Sequence, residues 1–273
     1  MLRRPTTVRS AKRKQDKRKK IIFYSFAIAF GSVVIAIGIS YILRSPGLAI
    51  ESVRVTGDTV VPAANVVALV ESILDTKFLF IFPRKNVLVY PKEMIEYTVV
   101  REFDRVLSAA VALGSDNVLM VRIVDRKPFA TWCGNVQVVA ATDCYFVDEQ
   151  GTIFASAPYF SGTAFIKYYG VVGTEDPVGR ALLDPESFIA LGRFILSLRD
   201  LGLEPQDVVL GPTGHEVYFH NGGKIIFNAH DSYPELFNNL ASVLTPIFKD
   251  TASSSRKFKY IDLRFDNRVF YKE

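Results

Sequence analysis

The run Asn117-Val118-Leu119-Met120-Val121-Arg122-Ile123-Val124-Asp125-Arg126-Lys127-Pro128-Phe129-Ala130-Thr131-Trp132 decides how this chain divides. Its first half alternates, with Val121 and Ile123 pointing one way and Arg122 the other, the period of a strand with one buried face. From Pro128 onward the pattern shifts to short strands, whereas everything upstream mixes strands with helical stripes. Two folded units of different character therefore meet here.

Backward from that run, residues 106–113 read as a strand joined to 118–124 through Gly114-Ser115-Asp116-Asn117. Pro91 opens a helix carrying Met94, Ile95 and Tyr97. Residues 78–82 are too brief an apolar run for a helix and read as a strand or buried loop before Pro83. Behind Pro62, the stripe Val66, Val67, Leu69, Val70, Ile73 and Leu74 predicts another helix. Ile50, Val53 and Val55 with Thr56-Gly57-Asp58 predict a strand ending in a turn. The order β-α-α-β-β implies two layers, with both helices on one face of a small sheet.

Forward from it, strands are expected at 129–133, 136–140, 144–147 and 152–155, the last after the turn Asp148-Glu149-Gln150-Gly151. Residues 156–180, rich in Gly, Ser and Tyr, read as irregular. Asp184-Pro185 starts a helix whose buried face is Phe188, Leu191, Phe194, Ile195 and Leu198, ending near Gly202. Residues 216–220 and 224–228 form a hairpin about Asn221-Gly222-Gly223. Ser232 and Glu235 make a capping box for a helix bearing Leu236, Leu240, Val243, Leu244 and Ile247. After a loop at Ser253-Ser254-Ser255, residues 259–265 and 268–271 are the last two strands. The fold class is α+β, and no internal repeat is present.

The N-terminal end sets the compartment. From Ile21 to Leu43 there is no Asp, Glu, Lys, Arg or His. A helix of that length spans about 34 Å, enough for a hydrocarbon core of roughly 30 Å. Tyr24 and Tyr41 sit near its two ends, and no face is polar, which argues against a core helix. Gly47-Leu48-Ala49 has the small residues of a signal-peptidase site, but the apolar stretch exceeds the usual 7 to 15 or so of a signal, which favours an uncleaved anchor. Ala27 and Gly31, then Ser32, Ala36 and Ser40, recur every four residues, a weak pattern for helix contact in the membrane.

Residues 1–20 hold ten Lys and Arg against the single acid Asp16, a charge of +9, so the rest of the chain carries −4 of the total of +5. Basic residues just before the span place the N-terminus in the cytoplasm and everything after Leu43 outside it. A mildly acidic folded part offers a phosphate backbone no broad cationic surface, so no nucleic acid partner is expected. A composition of 49% hydrophobic and 22% charged residues, with 21 Phe and 12 Tyr, excludes a disordered or low-complexity chain.

Cys133 and Cys144 suit an oxidising compartment, and positions facing across a hairpin can meet disulfide geometry; two free buried thiols are the competing account. His215, His220 and His230 cluster near the hairpin, but His215 and His220 are five apart on one strand and face opposite ways, so exposed strand-end histidines are expected rather than a metal site. No Gly-x-Ser-x-Gly elbow, phosphate-binding Gly-rich loop or His-Glu-x-x-His helix occurs. Asp148 with Glu149, and Asp262 with Asp266, are carboxylate pairs; Asp148 falls in a turn, and Asp262 shares a strand face with Arg264, where a solvated ion pair is the ordinary outcome. Neither an enzyme nor a bound cofactor is expected.

Together these motifs resemble the FtsQ/DivIB cell-division family. Ile50-x-x-Val53-x-Val55-x-Gly57 is similar to its opening strand, with Asp58 where Asn is more usual. The run from Asn117 through Asp125-Arg126-x-Pro128 to Trp132 is similar to its interdomain hallmark, with Asp125 in place of Glu. Val147-Asp148-x-x-Gly151-x-Ile153-Phe154 and Tyr260-Ile261-Asp262-Leu263-Arg264-Phe265 come next in order. The resemblance implies a basic cytoplasmic tail (1–20), a transmembrane helix (21–43), a POTRA domain (46–127) and an FtsQ-type β domain with two helices (128–273). It implies a noncatalytic scaffold in the bacterial plasma membrane, enriched at the septum, that binds FtsB- and FtsL-type partners and other division proteins. The implied partner surface is Phe265, Asn267, Arg268, Val269, Phe270 and Tyr271, on a terminal strand whose free edge can accept a further strand. Plain core packing is the alternative for Phe265, since alternation puts it with Ile261 and Leu263. Rival readings are a tethered POTRA-like protein of secretion or surface assembly, and an anchored cell-wall hydrolase.

Overall fold

A computed structural model describes residues 8–43, 45–78, 82–135, 143–158, 160, 164–173, 176–220, 222–247, 258–265 and 268–272. The expected strand at 136–140, the loop at Ser253–Ser255, and Asn221 and Asn267 lie outside the described residues. In chain order the elements are α1 (Val8–Leu43), β1 (Ser52–Thr56), α2 (Ala63–Leu74), β2 (Lys77–Phe78), β3 (Phe82–Pro83), α3 (Lys92–Glu102), β4 (Val106–Leu113), β5 (Val118–Asp125), β6 (Ala130–Trp132), β7 (Cys144–Val147), β8 (Ile153–Ala157), β9 (Lys167–Tyr169), α4 (Pro185–Ser197), β10 (Pro205–Leu210), β11 (Gly214–Phe219), β12 (Lys224–Asn228), α5 (Tyr233–Ile247), β13 (Tyr260–Phe265) and β14 (Arg268–Lys272). This is a mixed α+β chain with five α-helices among the described residues.

The stretch Lys17–Leu43 of α1 is long and apolar enough to cross a membrane. Most of its large side chains are exposed among the described residues: Phe26 is 74% exposed and Phe30 72%. A water-facing helix would not hold so many apolar side chains on every side.

The chain divides into two compact units, one comprising Met1–Glu102 with Ser108–Val124 and the other Phe103–Leu107 with Asp125–Glu273. In the first, β1 lies parallel to β5, and the sheet order is β1-β5-β4. Leu119, Val121 and Ile123 are buried at every second position of β5. Val66, Val70 and Leu74 of α2, four apart, and Ile95 and Val99 of α3 are also buried. The short apolar run near Phe78 becomes the two-residue antiparallel pair β2 and β3.

The second unit is built on a nine-stranded mixed sheet of order β14-β13-β12-β11-β10-β9-β6-β7-β8. Three neighbouring pairs are parallel: β6 with β9, β9 with β10, and β12 with β13. Parallel neighbours need a crossover, and α4 supplies it between β9 and β10 as α5 does between β12 and β13. Since β10 and β12 are each antiparallel to β11, all four crossover strands run the same way, and both steps go toward β14. Right-handed crossovers then put both helices on the same face. That face is the core: Phe188, Leu191 and Ile195 of α4 and Leu236, Leu240 and Leu244 of α5 meet Tyr168, Val208, Val217, Ile225, Phe227 and Ile261 of the sheet.

The two crossovers also correct the strand reading. Residues 156–180 are not wholly irregular: β8 runs on to Ala157, and β9 lies in the middle of the sheet. The strand Pro205–Leu210 likewise has no counterpart in the sequence pattern. The sequence carries α4 into its expected place because Asp184 caps it, accepting from Ser187 N–H at 3.0 Å. That hydrogen bond holds the Asp184 carboxyl below the ordinary range.

Arg126 and Asp148 join segments that are far apart in sequence within this unit. The Arg126 guanidinium donates from Nη1 to Asp148 Oδ2 and from Nε to the Asp104 carbonyl at 3.0 Å. Asp148 Oδ1 accepts the backbone N–H of Gln150 and of Thr152, each at 2.9 Å. Contrary to a simple turn position, Asp148 is therefore a buried, fully engaged carboxylate at 4% exposure. Gly151 completes the turn with φ +84°, and a Cβ there would come within 2.7 Å of Phe188 Cγ, so glycine is required on two counts. Replacing Arg126 by Ala strands a buried carboxylate; urea unfolding should show a loss of about 3–5 kcal/mol. Arg126→Lys should recover only part of that loss, since one ammonium cannot reproduce the planar fork that reaches both Asp148 and Asp104.

Candidate partner-binding edge

The C-terminal strands carry the surface implied by the resemblance. β13 lies parallel to β12, which buries its first half: Ile261 is 1% exposed, Asp262 7% and Leu263 4%. β14 pairs antiparallel with β13 and is the last strand of the sheet, with no strand on its outer side among the described residues. An edge of this kind presents alternate N–H and C=O groups outward.

Simple alternation predicts that Phe265 joins Ile261 and Leu263 in the core. It does not. The register pairs Asp262 with Phe270 but Phe265 with Arg268, so β13 has one more residue than β14 over this interval. Such a bulge reverses the facing of the residues beyond it. Phe265 is 52% exposed and packs edge-on against Phe270, itself 48% exposed, with ring centroids 5.1 Å apart. Core packing is thus ruled out for Phe265. Arg268 and Tyr271 are also exposed, whereas Val269 is half-buried and packs against the core.

The face turned away from α4 and α5 continues from this edge across the sheet. Register puts Phe270 beside Asp262, Asp262 beside Ile226 and Ile226 beside Glu216. Asp262 takes both oxygens of its carboxylate to Arg264, at 2.9 Å from Nε and 2.6 Å from Nη2. Those hydrogen bonds and the guanidinium charge outweigh burial and hold the Asp262 carboxyl below its ordinary value. Its carboxylate is buried rather than solvated, which corrects the surface ion-pair reading. Further along, Glu216 Oε2 accepts from Tyr218 Oη and from Lys224 Nζ at 3.0 Å. Burial raises Glu216, but those two donors, with the charges of Lys224 and Arg264, leave its carboxyl below the usual range. Sequence reasoning missed Glu216, Tyr218 and Ile226 as neighbours of the edge; their equal parity on β11 and β12 was the available signal.

Cys133 and Cys144 are joined in a disulfide, with Cα atoms 4.2 Å apart and both residues buried. They lie near β6 and β7, packed with Ala157 and Tyr169, six strands from β14 in the sheet order. The bond therefore braces the opposite end of the sheet and contributes no atom to the edge.

The three histidines do not converge, and no group of His, Cys, Asp and Glu suited to a metal ion occurs among the described residues. His220 and His230 are exposed, but His215 is buried at 3% exposure against Phe227, with Nδ1 unpartnered, contrary to the expected exposed position. No family model matches the chain, and no curated protein matches it.

Burial, then the nearby charge of His230, lowers the His215 pKa below its ordinary 6.5. Above pH 6.5 both folded and unfolded states are neutral here; below it the unfolded chain takes up the proton first, so stability falls as pH drops toward the folded-state pKa. Urea midpoints at pH 7.5 and pH 5.5 should therefore differ less in His215→Leu than in the unaltered protein.

Proposed function

We propose that this chain is a noncatalytic, single-pass scaffold of the bacterial division machinery, of the FtsQ/DivIB kind. In this reading α1 is an uncleaved anchor with its basic N-terminal tail in the cytoplasm. Residues 46–127 are a POTRA domain and residues 128–273 the family's β domain, both extracytoplasmic, and the protein collects at the septum. Its partners are FtsB- and FtsL-type membrane proteins and other division components.

One observation carries the reading: β14 leaves a sheet edge open, and the bulge in β13 turns Phe265 outward to stack on Phe270 beside it. Exposed aromatics are expensive to leave in water and are the residues that dominate binding energy when a partner covers them. An incoming extended segment would satisfy the edge N–H and C=O groups of β14 and lay alternate side chains over these rings. The order β1-α2-α3-β4-β5 of the first unit, with the short pair β2 and β3 set between its helices, and the apolar α1 support the same domain plan.

Phe265→Ala with Phe270→Ala removes the rings without emptying a core. The stability of the double variant should stay within about 0.5 kcal/mol of the parent. Its capture of a co-expressed FtsB-type partner should fall by about tenfold or more, the loss of a binding hot spot. Undiminished capture by a folded double variant would refute the edge reading. Depletion of the protein should block septation and give filaments, and normal division without it would refute the scaffold role.

A further inference from the structure

Asn86 is the only wholly buried Asn among the described residues, and it sits where the membrane-spanning helix ends. Its Nδ2 donates to the carbonyl of Leu43, the last residue of α1, at 2.7 Å. Its Oδ1 accepts the backbone N–H of Leu88 at 2.8 Å. A bridge between Ala49 and Asn86, and the Val87 N–H to Leu48 carbonyl bond at 2.9 Å, fasten the same loop to the segment leaving the helix. The terminal carbonyls of a helix have no intrahelical partner, so Asn86 answers a need that the end of α1 creates.

This holds the loop close to the end of α1. Two hydrogen bonds and one amide group separate Leu43 O from Leu88 N, a path of no more than about 8 Å. The interfacial layer of a bilayer leaflet is itself about 7 Å thick. Ser40, one turn before the end of α1, is only 4% exposed and Leu43 only 9%, while Tyr41 between them is 82% exposed. One side of the last helical turn is thus covered by the first unit, which reaches at least to the depth of the helix end. At that level the loop shows Leu88 at 68% exposure and Val89 at 43%, next to the half-buried Arg84 and the exposed Lys85.

We propose that Arg84–Tyr90 is a second membrane contact, in which Leu88 and Val89 enter the interface of the leaflet where α1 ends while Arg84 and Lys85 engage anionic phospholipid headgroups. The proposal rests on α1 spanning a bilayer. Its chemistry is that of a peripheral membrane anchor on a small scale: apolar side chains at the acyl boundary and cations among the headgroups. Since the loop is already tethered at the interface, insertion needs no separate binding step, and its weak intrinsic affinity suffices.

The full-length chain, reconstituted in vesicles of phosphatidylglycerol and phosphatidylcholine, tests this with an environment-sensitive fluorophore on one introduced cysteine. The native pair is bonded, and there are no free cysteines among the described residues. Probes at Leu88→Cys and, independently, Val89→Cys should emit to the blue and be quenched severalfold more by nitroxides near the headgroup than a probe at Val60→Cys. Val60 is 70% exposed but lies past the far end of β1, a five-residue strand roughly 17 Å long that begins after the Ala49–Asn86 bridge. Equal quenching at the three sites would overturn the proposal. A probe at Ile35→Cys separates the two claims: if deep nitroxides quench it while the loop probes stay unquenched, the anchor stands and the loop contact is wrong. If Ile35→Cys is not quenched either, anchor and loop contact fall together. Loop quenching should weaken in phosphatidylcholine alone, and identical values in both lipids would overturn the anionic headgroup assignment.

Discussion

Backbone hydrogen bonding constrains this chain more than any side chain does. In the nine-stranded sheet seven strands are flanked on both sides, and only the terminal two have a side left over. At the β8 end the start of the strand is covered by the chain itself: Ile153 N–H donates to the Arg180 carbonyl at 2.8 Å, Gly179 N–H to the Ile153 carbonyl at 2.8 Å, and Thr152 bridges to Ala181. Nothing comparable covers β14 among the described residues. The two ends therefore differ in how the requirement that every ladder group find a partner is met: by the chain itself at the start of β8, and by no described segment at β14.

The residues that make the sequence resemble a known family turn out to be largely architectural. Arg126, Asp148 and Gly151 are bound up in one buried network around the turn that precedes β8, and Asp125 lies 3.9 Å from Arg105. Trp132 donates to the Gly170 carbonyl at 2.9 Å and so ties β6 to the end of β9. Residues of this kind keep the sheet in register. Phe265, the last residue of the Tyr260–Phe265 stretch, differs from them in being exposed.

Much of the architecture could be read from residue order, and what could not has identifiable causes. Long apolar or strongly periodic segments, α1, α2, α4 and α5, were legible because burial or lipid imposes a period on many positions at once. β9 was hidden because three residues, Lys167-Tyr168-Tyr169, are too few to show a period, and its place in the sheet is set by parallel neighbours far away in sequence. Phe265 was ambiguous for a different reason: alternation is a local rule, and the bulge that breaks it is visible only once β13 has been laid against β14. His215 looked like a loop-side polar residue, but its strand parity matches Val217 and Phe219, and that parity carried it inward.

The added residue in β13 is a slight deformation with a large effect. Insert one matching position in β14 between Arg268 and Phe270, and strict two-residue counting would return the Phe265 ring to the interior. The outward facing of Phe265 at this rim is therefore a matter of counting rather than composition. A three-nucleotide insertion in the stretch encoding β14 would abolish it while Ile261 and the strands behind it stayed where they are.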